Sequence, residues 1–164
     1  MNSIQNHIKI FAITALCSGI FFSCAQKPLH NSGEAKTVTT KEKIPADLPW
    51  SQRMLLSEMK RFPEAWMLDY NKTPKWSYPT AIVLEGAERI FEQTGNKEYY
   101  QYISTFGETM IKEDGSIVSY DISKYNIDML NCGNVLLYLY QKEKKDKYLK
   151  ALQTLRSQID GQPR

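Results

Sequence analysis

Residues 125–133 form a short polar stretch that holds the side chains best suited to chemistry. It contains the carboxylate of Asp128, the amides of Asn126 and Asn131 and the thiol of Cys132. The apolar residues that follow it predict a helix that is buried on most sides. A carboxylate in the first turn of a buried helix costs free energy unless a partner or a function uses it. We therefore take Asp128 as the leading candidate for a catalytic residue.

The residue types in the rest of the chain exclude several kinds of site. Histidine occurs only at His7 and His30, ahead of the predicted fold, so residues 50–164 hold no Ser-His-Asp or Cys-His arrangement and no zinc site that needs imidazole. No basic residue near Cys132 lowers its pKa, and we predict a small buried hydrophobe there. The sequence shows no metal-binding cluster and no phosphate-binding glycine loop, so we predict no metal and no cofactor.

The position of Asp128 allows two interpretations. Near a helix N-terminus, the dipole and the free N–H groups favour the ionised carboxylate, which suits a residue that orients substrate or tunes a proton donor. A general acid requires the opposite shift in pKa. Alternatively, Asp128 only caps its own helix, and the residue pattern alone does not decide between the two.

Length and charge limit the class of protein. The chain has 164 residues, which corresponds to one domain or part of one, with 42% hydrophobic and 24% charged residues. Its net charge is +3, and the basic residues do not form the clustered face of a nucleic-acid binder. We therefore predict no nucleic-acid partner.

The N-terminal residues read as a targeting signal. Lys9 precedes an apolar run over residues 10–22, which suits the core of a signal peptide and is too short to span a bilayer. The run ends in Ser23-Cys24 and resembles a bacterial lipobox, although Phe21 stands where leucine is usual. This predicts a lipoprotein signal peptide over 1–23, lipidation of Cys24 and attachment to a membrane of the bacterial cell envelope. The alternative is an ordinary secretory signal that is cleaved nearby.

Composition separates a tether from a folded part. Residues 25–49 contain three prolines and no aromatic residue, which predicts a disordered tether over 24–49. From Trp50 onward, apolar residues recur at helical spacing. The pattern predicts an all-α domain of about five helices with antiparallel neighbours, over approximately 50–62, 78–93, 97–111, 127–141 and 146–159.

A faint internal repeat supports helical hairpins as the unit. The residues before Tyr99 resemble those before Tyr148, 49 residues later, and each set precedes a predicted helix. A period near fifty that contains two helices indicates stacked hairpins. Arrays of hairpins need several units to bury a continuous core, so the chain is expected to be part of a larger domain.

Several short motifs occur in a characteristic order. They are Trp76-Ser77-Tyr78, Thr94-Gly95-Asn96 with Tyr99, Glu113 to Ile117 with Tyr120, Tyr125-Asn126-Ile127-Asp128 with Asn131 and Gly133, and Gln162-Pro163-Arg164. In this order and at these spacings, residues 50–164 resemble the unsaturated glucuronyl and rhamnogalacturonyl hydrolases of glycoside hydrolase families 88 and 105.

The resemblance implies the N-terminal part of an (α/α)6 six-hairpin barrel. It also implies a substrate with a 4,5-unsaturated uronic acid at its non-reducing end, released from pectin or glycosaminoglycan by a polysaccharide lyase. Such enzymes hydrate the vinyl-ether double bond, and the hemiketal then collapses. This differs from displacement at the anomeric carbon by two carboxylates. Whether the uronic acid is linked to rhamnose or to an amino sugar stays open.

By resemblance, Asp128 matches the first of two catalytic aspartates. The second, the general acid/base, belongs to a Trp-x-Asp-Gly-Leu-Tyr motif that the chain does not contain, so we expect the chain to be inactive alone. The alternative is a surface-tethered helical module that binds carbohydrate or protein without catalysis.

The resemblance also places Tyr78 at the substrate pocket, in preference to Trp76. Asn126 and Met129 flank Asp128 and are candidates for substrate binding, with capping and packing as competing roles. Ala81 stands where the family usually has glycine, and its methyl group either narrows the pocket or favours the helix.

Overall fold

The computed structural model describes residues 43–163. Cys24, the predicted signal peptide (1–23) and most of the predicted tether (24–49) lie outside the described residues. Between residues 43 and 163 the fold contains five α-helices and three short 3-10 helices. The α-helices are α1 (Trp50–Arg61), α2 (Tyr78–Thr94), α3 (Lys97–Met110), α4 (Cys132–Glu143) and α5 (Asp146–Gly161); the 3-10 helices are Ala65–Tyr70, Ile122–Lys124 and Ile127–Leu130. The predicted all-α class is confirmed.

Local sequence signals explain where α2 ends and α3 begins. Gly95 follows α2 with a φ of 66°, a left-handed conformation that favours glycine and stops the helix. Asn96 comes next, and its Oδ1 accepts a hydrogen bond of 3.0 Å from the backbone N–H of Glu98 in the first turn of α3. These two residues therefore reverse the chain within one tight connection and produce the first complete antiparallel hairpin.

The predicted fourth helix differs from the observed structure. A continuous helix after Asn126 was expected, but residues 127–130 form a 3-10 helix and α4 begins only at Cys132. The backbone carbonyl of Met129, which a continuous α-helix would use internally, instead accepts a hydrogen bond of 2.8 Å from Trp76 Nε1. The prediction of a single helix is therefore wrong, because contacts from distant parts of the chain use these backbone groups.

The helices form two layers. Cys132 at the start of α4 contacts Ser77, just before α2, and Tyr138 later in α4 contacts Glu92 near the end of α2. The helices α2 and α4 therefore run in the same direction. Tyr100 in α3 donates to Glu143 at the end of α4, so α3 runs the opposite way. Side chains of α3 also contact α1 and α5, which places α1, α3 and α5 in the second layer.

The internal repeat is visible in the core. Tyr99 and Tyr148 occupy the first turns of α3 and α5, and both side chains are fully buried. Both helices belong to the second layer, so the repeat predicted from sequence corresponds to two equivalent hairpins. Trp76, just before α2, stacks on Phe106 of α3 with ring centroids 5.9 Å apart, and both rings are buried in the core.

A charged cluster fixes α5 against α3. The carboxylate of Glu108 accepts hydrogen bonds from Lys145 and Lys147, each at 2.8 Å, and from the hydroxyl of Tyr148. Lys147 is almost fully buried and also pairs with Glu113 at 2.9 Å. A buried ammonium group requires such partners, so the cluster defines how the two helices meet.

The described fold includes residues 43–49, which precede the residues that resemble the family. Ile44, Pro45 and Leu48 line a groove together with residues of α1 and α3. These residues precede Trp50, where the composition of the sequence changes, and they nevertheless lie beside the helices of the domain. None of the helices between residues 43 and 163 is long and apolar enough to cross a membrane.

Candidate active site

The structure places Asp128 on the surface. Its side chain is exposed, so the prediction of a buried carboxylate is wrong. The buried residues of this region begin only at Cys132, the first residue of α4. Its carboxylate forms no hydrogen bond or ion pair with any residue that the structure describes. Asn126 caps the 3-10 helix instead, through a hydrogen bond of 3.0 Å from the Asp128 N–H to Asn126 Oδ1. The carboxylate is therefore not used as a helix cap.

The backbone around Asp128 is anchored from the start of α2. The indole of Trp76 donates through Nε1 to the carbonyl of Met129 at 2.8 Å. The backbone N–H of Trp76 in turn donates to Ser119 Oγ at 2.8 Å. Trp76 is only 1% exposed, so its ring is held in one position. The residue that follows Asp128 is thereby fixed relative to the core.

A second anchor comes from α5. Gln158 Nε2 donates to the carbonyl of Asn126 at 3.2 Å, and Gln162 Nε2 donates to the carbonyl of Tyr125 at 3.1 Å. The hydroxyl of Tyr120 donates to Gln158 Oε1 and orients its carboxamide. Two successive carbonyl groups ahead of Asp128 are therefore held by glutamine side chains one helical turn apart.

Two residues near the segment adopt left-handed backbone conformations. Ser119 has a φ of 60° and Tyr125 a φ of 47°, and neither is glycine. Such a conformation costs roughly 1–3 kcal/mol and persists only where surrounding contacts determine it. Here the Ser119 hydroxyl holds Trp76 and the Tyr125 carbonyl is held by Gln162. Two of the five non-glycine residues with positive φ between residues 43 and 163 therefore lie next to the contacts that position Asp128.

Tyr78 lies at the same end of the fold. It is the first residue of α2 and its ring is 42% exposed, whereas Trp76 is buried. The carbonyl of Ser77, directly before it, accepts a hydrogen bond of 3.1 Å from Cys132 Sγ. Trp76 and Ser77, just before α2, thus contact Met129 and Cys132, both of which follow Asp128 in the chain. The exposed ring of Tyr78 and the exposed carboxylate of Asp128 lie at the same end of the layer formed by α2 and α4.

Comparisons with known proteins identify the family of the chain. Residues 50–164 match the sequence profile of the family described as Glycosyl Hydrolase Family 88. The chain belongs to this family. A solved structure of a family 105 glycoside hydrolase from C. acetobutylicum ATCC 824 is 34% identical, with a TM-score of 0.61. The match covers 71% of this chain and 31% of that structure, so this chain spans less than a third of that protein's length. The predicted N-terminal part of a six-hairpin fold is confirmed.

In this family 88 chain, the side chains of Asn126 and Met129 have supporting contacts. Asn126 Oδ1 accepts from the Asp128 N–H, and the half-buried side chain of Met129 packs against the core. Their proposed contact with substrate stays a prediction. Ala81 is fully buried, so its methyl group packs in the core and not at the exposed surface beside Tyr78.

Sequence reasoning missed the residues that hold the segment: Ser119, Gln158 and Gln162. One signal was present in α5. Gln158 falls at a stripe position that apolar residues otherwise occupy, after Ala151 and Leu155, and a buried amide requires hydrogen-bond partners. No sequence signal marks Ser119, because its role depends on a turn that brings it to the backbone of Trp76.

Cys132 has the role that the sequence predicts. Its side chain is fully buried, and burial raises the pKa of its thiol to about 12 despite the hydrogen bond to the Ser77 carbonyl. Reactive cysteines have the opposite shift, since the thiolate is the nucleophile. The prediction of a small buried hydrophobe is confirmed.

The Asp128 surface is open. A groove with a volume of about 730 Å³ lies between residues 43–48, α1 and α3, and none of its lining residues belongs to the Asp128 segment. Among residues 43–163, no group of three or more His, Cys, Asp and Glu side chains is placed to hold a metal ion. The candidate groups on this surface are the Asp128 carboxylate and the Tyr78 ring, and Tyr125 of the same segment is also exposed.

Proposed function

We propose that this family 88 chain carries half of the active site of an unsaturated uronyl hydrolase. Its substrate would be an oligosaccharide that ends in a 4,5-unsaturated uronic acid, the product of a polysaccharide lyase. The observation that carries the proposal is an exposed carboxylate without a protein partner among residues 43–163, on a backbone segment that distant residues anchor on both sides. Such an arrangement reserves Asp128 for a ligand.

The chemistry of the two exposed side chains suits a sugar. A carboxylate accepts hydrogen bonds from sugar hydroxyl groups, and these charge-assisted bonds are stronger than neutral ones. The ring of Tyr78 offers an apolar face for a pyranose, and its hydroxyl offers a polar handle. In this proposal Asp128 orients the unsaturated ring, while a separate acid protonates the double bond before water adds and the hemiketal collapses.

By resemblance to the family, we expect the proton donor to belong to a Trp-x-Asp motif. None of the three tryptophans is followed by an aspartate two positions later, so the Trp-x-Asp motif of the family is absent from this sequence. The fold fixes Asp128, but a single carboxylate does not supply both substrate orientation and proton transfer. We therefore expect this chain to bind the unsaturated sugar and not to turn it over.

We also propose that the protein acts at the bacterial cell envelope through lipidation of Cys24. The sequence Phe21-Phe22-Ser23-Cys24 after an apolar run supports this location. A lipid on Cys24 would place the domain close to lyase products at the membrane surface. A soluble, charged oligosaccharide could reach an enzyme at this location from the surrounding solution.

A binding titration tests the proposed function. The 164-residue chain is titrated with an unsaturated rhamnogalacturonan disaccharide and with an unsaturated glycosaminoglycan disaccharide, and amide chemical shifts are followed by NMR. We expect shifts at Tyr78 and Asp128 with one of the two. Loss of one charge-assisted hydrogen bond costs about 1.5–3 kcal/mol, so Asp128→Asn should raise Kd at least about tenfold. Asp47→Asn is the matched control, because Asp47 is exposed and lies outside the family match.

Two results would count against the proposal. Absence of shifts at Tyr78 and Asp128 with both disaccharides would contradict the proposed substrate class. Equal effects of Asp128→Asn and Asp47→Asn on Kd would contradict the proposed role of Asp128. In a parallel assay, loss of the ultraviolet absorbance of the double bond would reveal turnover by this chain and contradict the expected inactivity.

A further inference from the structure

We propose that Gln158 is a positioning residue for Asp128: it fixes the backbone ahead of Asp128 from the second helical layer without contacting substrate. Its importance for activity rests on the function proposed above. The positioning itself is a property of the fold and is testable without any ligand.

The contacts of Gln158 use its whole carboxamide. Its side chain is 1% exposed, and its Oε1 accepts from the hydroxyl of Tyr120. Its Nε2 donates to the carbonyl of Asn126 at 3.2 Å and to Gln162 Oε1 at 3.4 Å. A buried carboxamide satisfied in this way has one orientation, because a rotation that exchanges oxygen and nitrogen would oppose the Asn126 carbonyl with an oxygen.

Asp128 lies between two anchored carbonyl groups. Gln158 holds the carbonyl of Asn126, two residues earlier, and Trp76 holds the carbonyl of Met129, one residue later. The bonds within the segment are weaker constraints, since a 3-10 turn has poor hydrogen-bond geometry and is stable only in short pieces. The backbone position of Asp128 is therefore set by α5 on one side and by Trp76, just before α2, on the other.

Loss of the Gln158 anchor should loosen the segment ahead of Asp128. Without the Gln158 carboxamide, the segment keeps the bonds at the carbonyl groups of Met129 and Tyr125 and loses the one at Asn126. Gln162, which holds the Tyr125 carbonyl, also loses its own bond from Gln158, so this remaining anchor is weaker. A displacement of about 1 Å in a functional group costs up to about a hundredfold in rate. The stacking of Trp76 on Phe106 and its bond to the Met129 carbonyl do not use the Gln158 carboxamide, so we expect both to remain.

Hydrogen exchange in the 164-residue chain tests this. Gln158→Met keeps the length of the side chain and removes both polar groups. Gln153→Met makes the same change at an exposed position of α5 and serves as the control. We expect the Asp128 amide, which donates to Asn126 Oδ1, to exchange at least about tenfold faster in Gln158→Met. The Trp76 indole N–H should keep its wild-type protection.

A second variant covers the case in which Gln158→Met does not fold. Tyr120→Phe removes the hydroxyl that orients the Gln158 carboxamide and keeps the ring. It should accelerate exchange of the Asp128 amide by a smaller factor. Wild-type exchange at Asp128 in Tyr120→Phe and in a folded Gln158→Met would overturn the positioning role. An equal loss of protection at the Trp76 indole would also overturn it, because the effect would then be general destabilisation.

Disaccharide binding separates this inference from the proposed function. With a binding wild-type chain, Gln158→Met should raise Kd about tenfold, and Gln153→Met should leave it unchanged. If the wild-type chain binds neither disaccharide, the proposed function fails, and the exchange of the Asp128 amide still decides whether Gln158 positions the segment.

Discussion

Gly107 of α3 faces the side chain of Leu139 of α4 so closely that a methyl group on Gly107 would overlap the Leu139 Cδ1 atom. The same methyl group would lie 3.0 Å from the hydroxyl of Tyr148 in α5. Three helices therefore meet at this one glycine, and their spacing depends on the absence of a side chain there.

Substitution of Gly107 by alanine should destabilise the fold. Overpacking of a close core contact typically costs about 1–3 kcal/mol, which exceeds the gain in helix propensity of roughly 1 kcal/mol. Gly86→Ala is the matched control, because a methyl group at Gly86 in α2 meets no atom within 4 Å. Urea unfolding followed by circular dichroism should show a lower midpoint for Gly107→Ala and an unchanged or higher one for Gly86→Ala. A Gly107→Ala midpoint at or above that of the wild type would contradict the close contact.

The Glu108 cluster should make stability depend on pH in the acid range. Burial raises the pKa of Glu108, but hydrogen bonds from Lys145, Lys147 and Tyr148 outweigh it and lower the pKa from its ordinary value of 4.5 to about 2. A carboxyl whose pKa is lower in the folded state stabilises the fold above its ordinary pKa, and the stabilisation is lost as pH falls. The free energy of unfolding should therefore decrease between about pH 4.5 and about pH 2.

The variant Glu108→Gln identifies the source of this dependence. Its free energy of unfolding should be lower than that of the wild type near neutral pH and should change less across the acid range. Glu64→Gln, an exposed site outside the cluster, should follow the wild type. The residual slope in Glu108→Gln is expected from Glu143, whose pKa is also lowered because hydrogen bonds from Lys145, Tyr100 and Ser104 outweigh its burial. A wild-type slope in Glu108→Gln would show that the cluster does not act this way.

The thiol of Cys132 should resist alkylation in the folded protein. Burial raises its pKa to about 12, so very little thiolate is present near neutral pH and access is blocked. Iodoacetamide labelling of a Cys17→Ser, Cys24→Ser variant, read by mass spectrometry, should be negligible in buffer and complete in urea. Rapid labelling of the native protein would contradict the buried position.

Tyr78 should contribute to sugar binding through its ring. Tyr78→Ala should raise the Kd for the unsaturated disaccharide several-fold, and Tyr78→Phe should retain most of the affinity, because the stacking face remains. Ile82→Ala, an exposed site one turn further along α2, should leave the Kd unchanged. An equal loss in Tyr78→Ala and Ile82→Ala would indicate that the helix surface in general, and not the tyrosine ring, contacts the sugar.

Cys24 should carry the lipid anchor. In a bacterial host with lipoprotein processing, the mature protein should begin at Cys24, carry acyl chains detectable by mass spectrometry and sediment with membranes. Cys24→Ser should remove acylation and release the protein from the membrane fraction. Cys17→Ser should behave like the wild type, because residue 17 is removed with the leader. A soluble wild-type protein that begins elsewhere would support an ordinary secretory signal.

The parts of the fold that depend on local pattern were predictable from sequence. The stripe of apolar residues and the Gly95-Asn96 connection define α2 and α3, and the repeat around Tyr99 and Tyr148 indicates equivalent hairpins. Each of these signals lies within a few residues of the element that it specifies. Local preference and final structure agree there, as they do in most well-folded sequences.

The arrangement around Asp128 was not predictable in the same way. Asn126 is a good helix cap in any sequence, and the apolar residues after it favour a continuous helix. In the structure Trp76 takes the carbonyl group of Met129, and Gln158 adds a second bond to the Asn126 carbonyl, which also accepts the Met129 N–H of the 3-10 turn. Neither partner is close in sequence, so the exposed position of Asp128 follows only from the tertiary structure.

The hydrogen bond between Trp76 and Met129 has a consequence for how the chain folds. It joins groups 53 residues apart and closes a loop that contains α2 and α3. Closing such a long loop costs entropy that local helix formation does not repay, and contacts of this kind form slowly. The entropy of closing this loop is therefore part of the cost of fixing the Asp128 segment, and the contacts made on packing of the helices offset it.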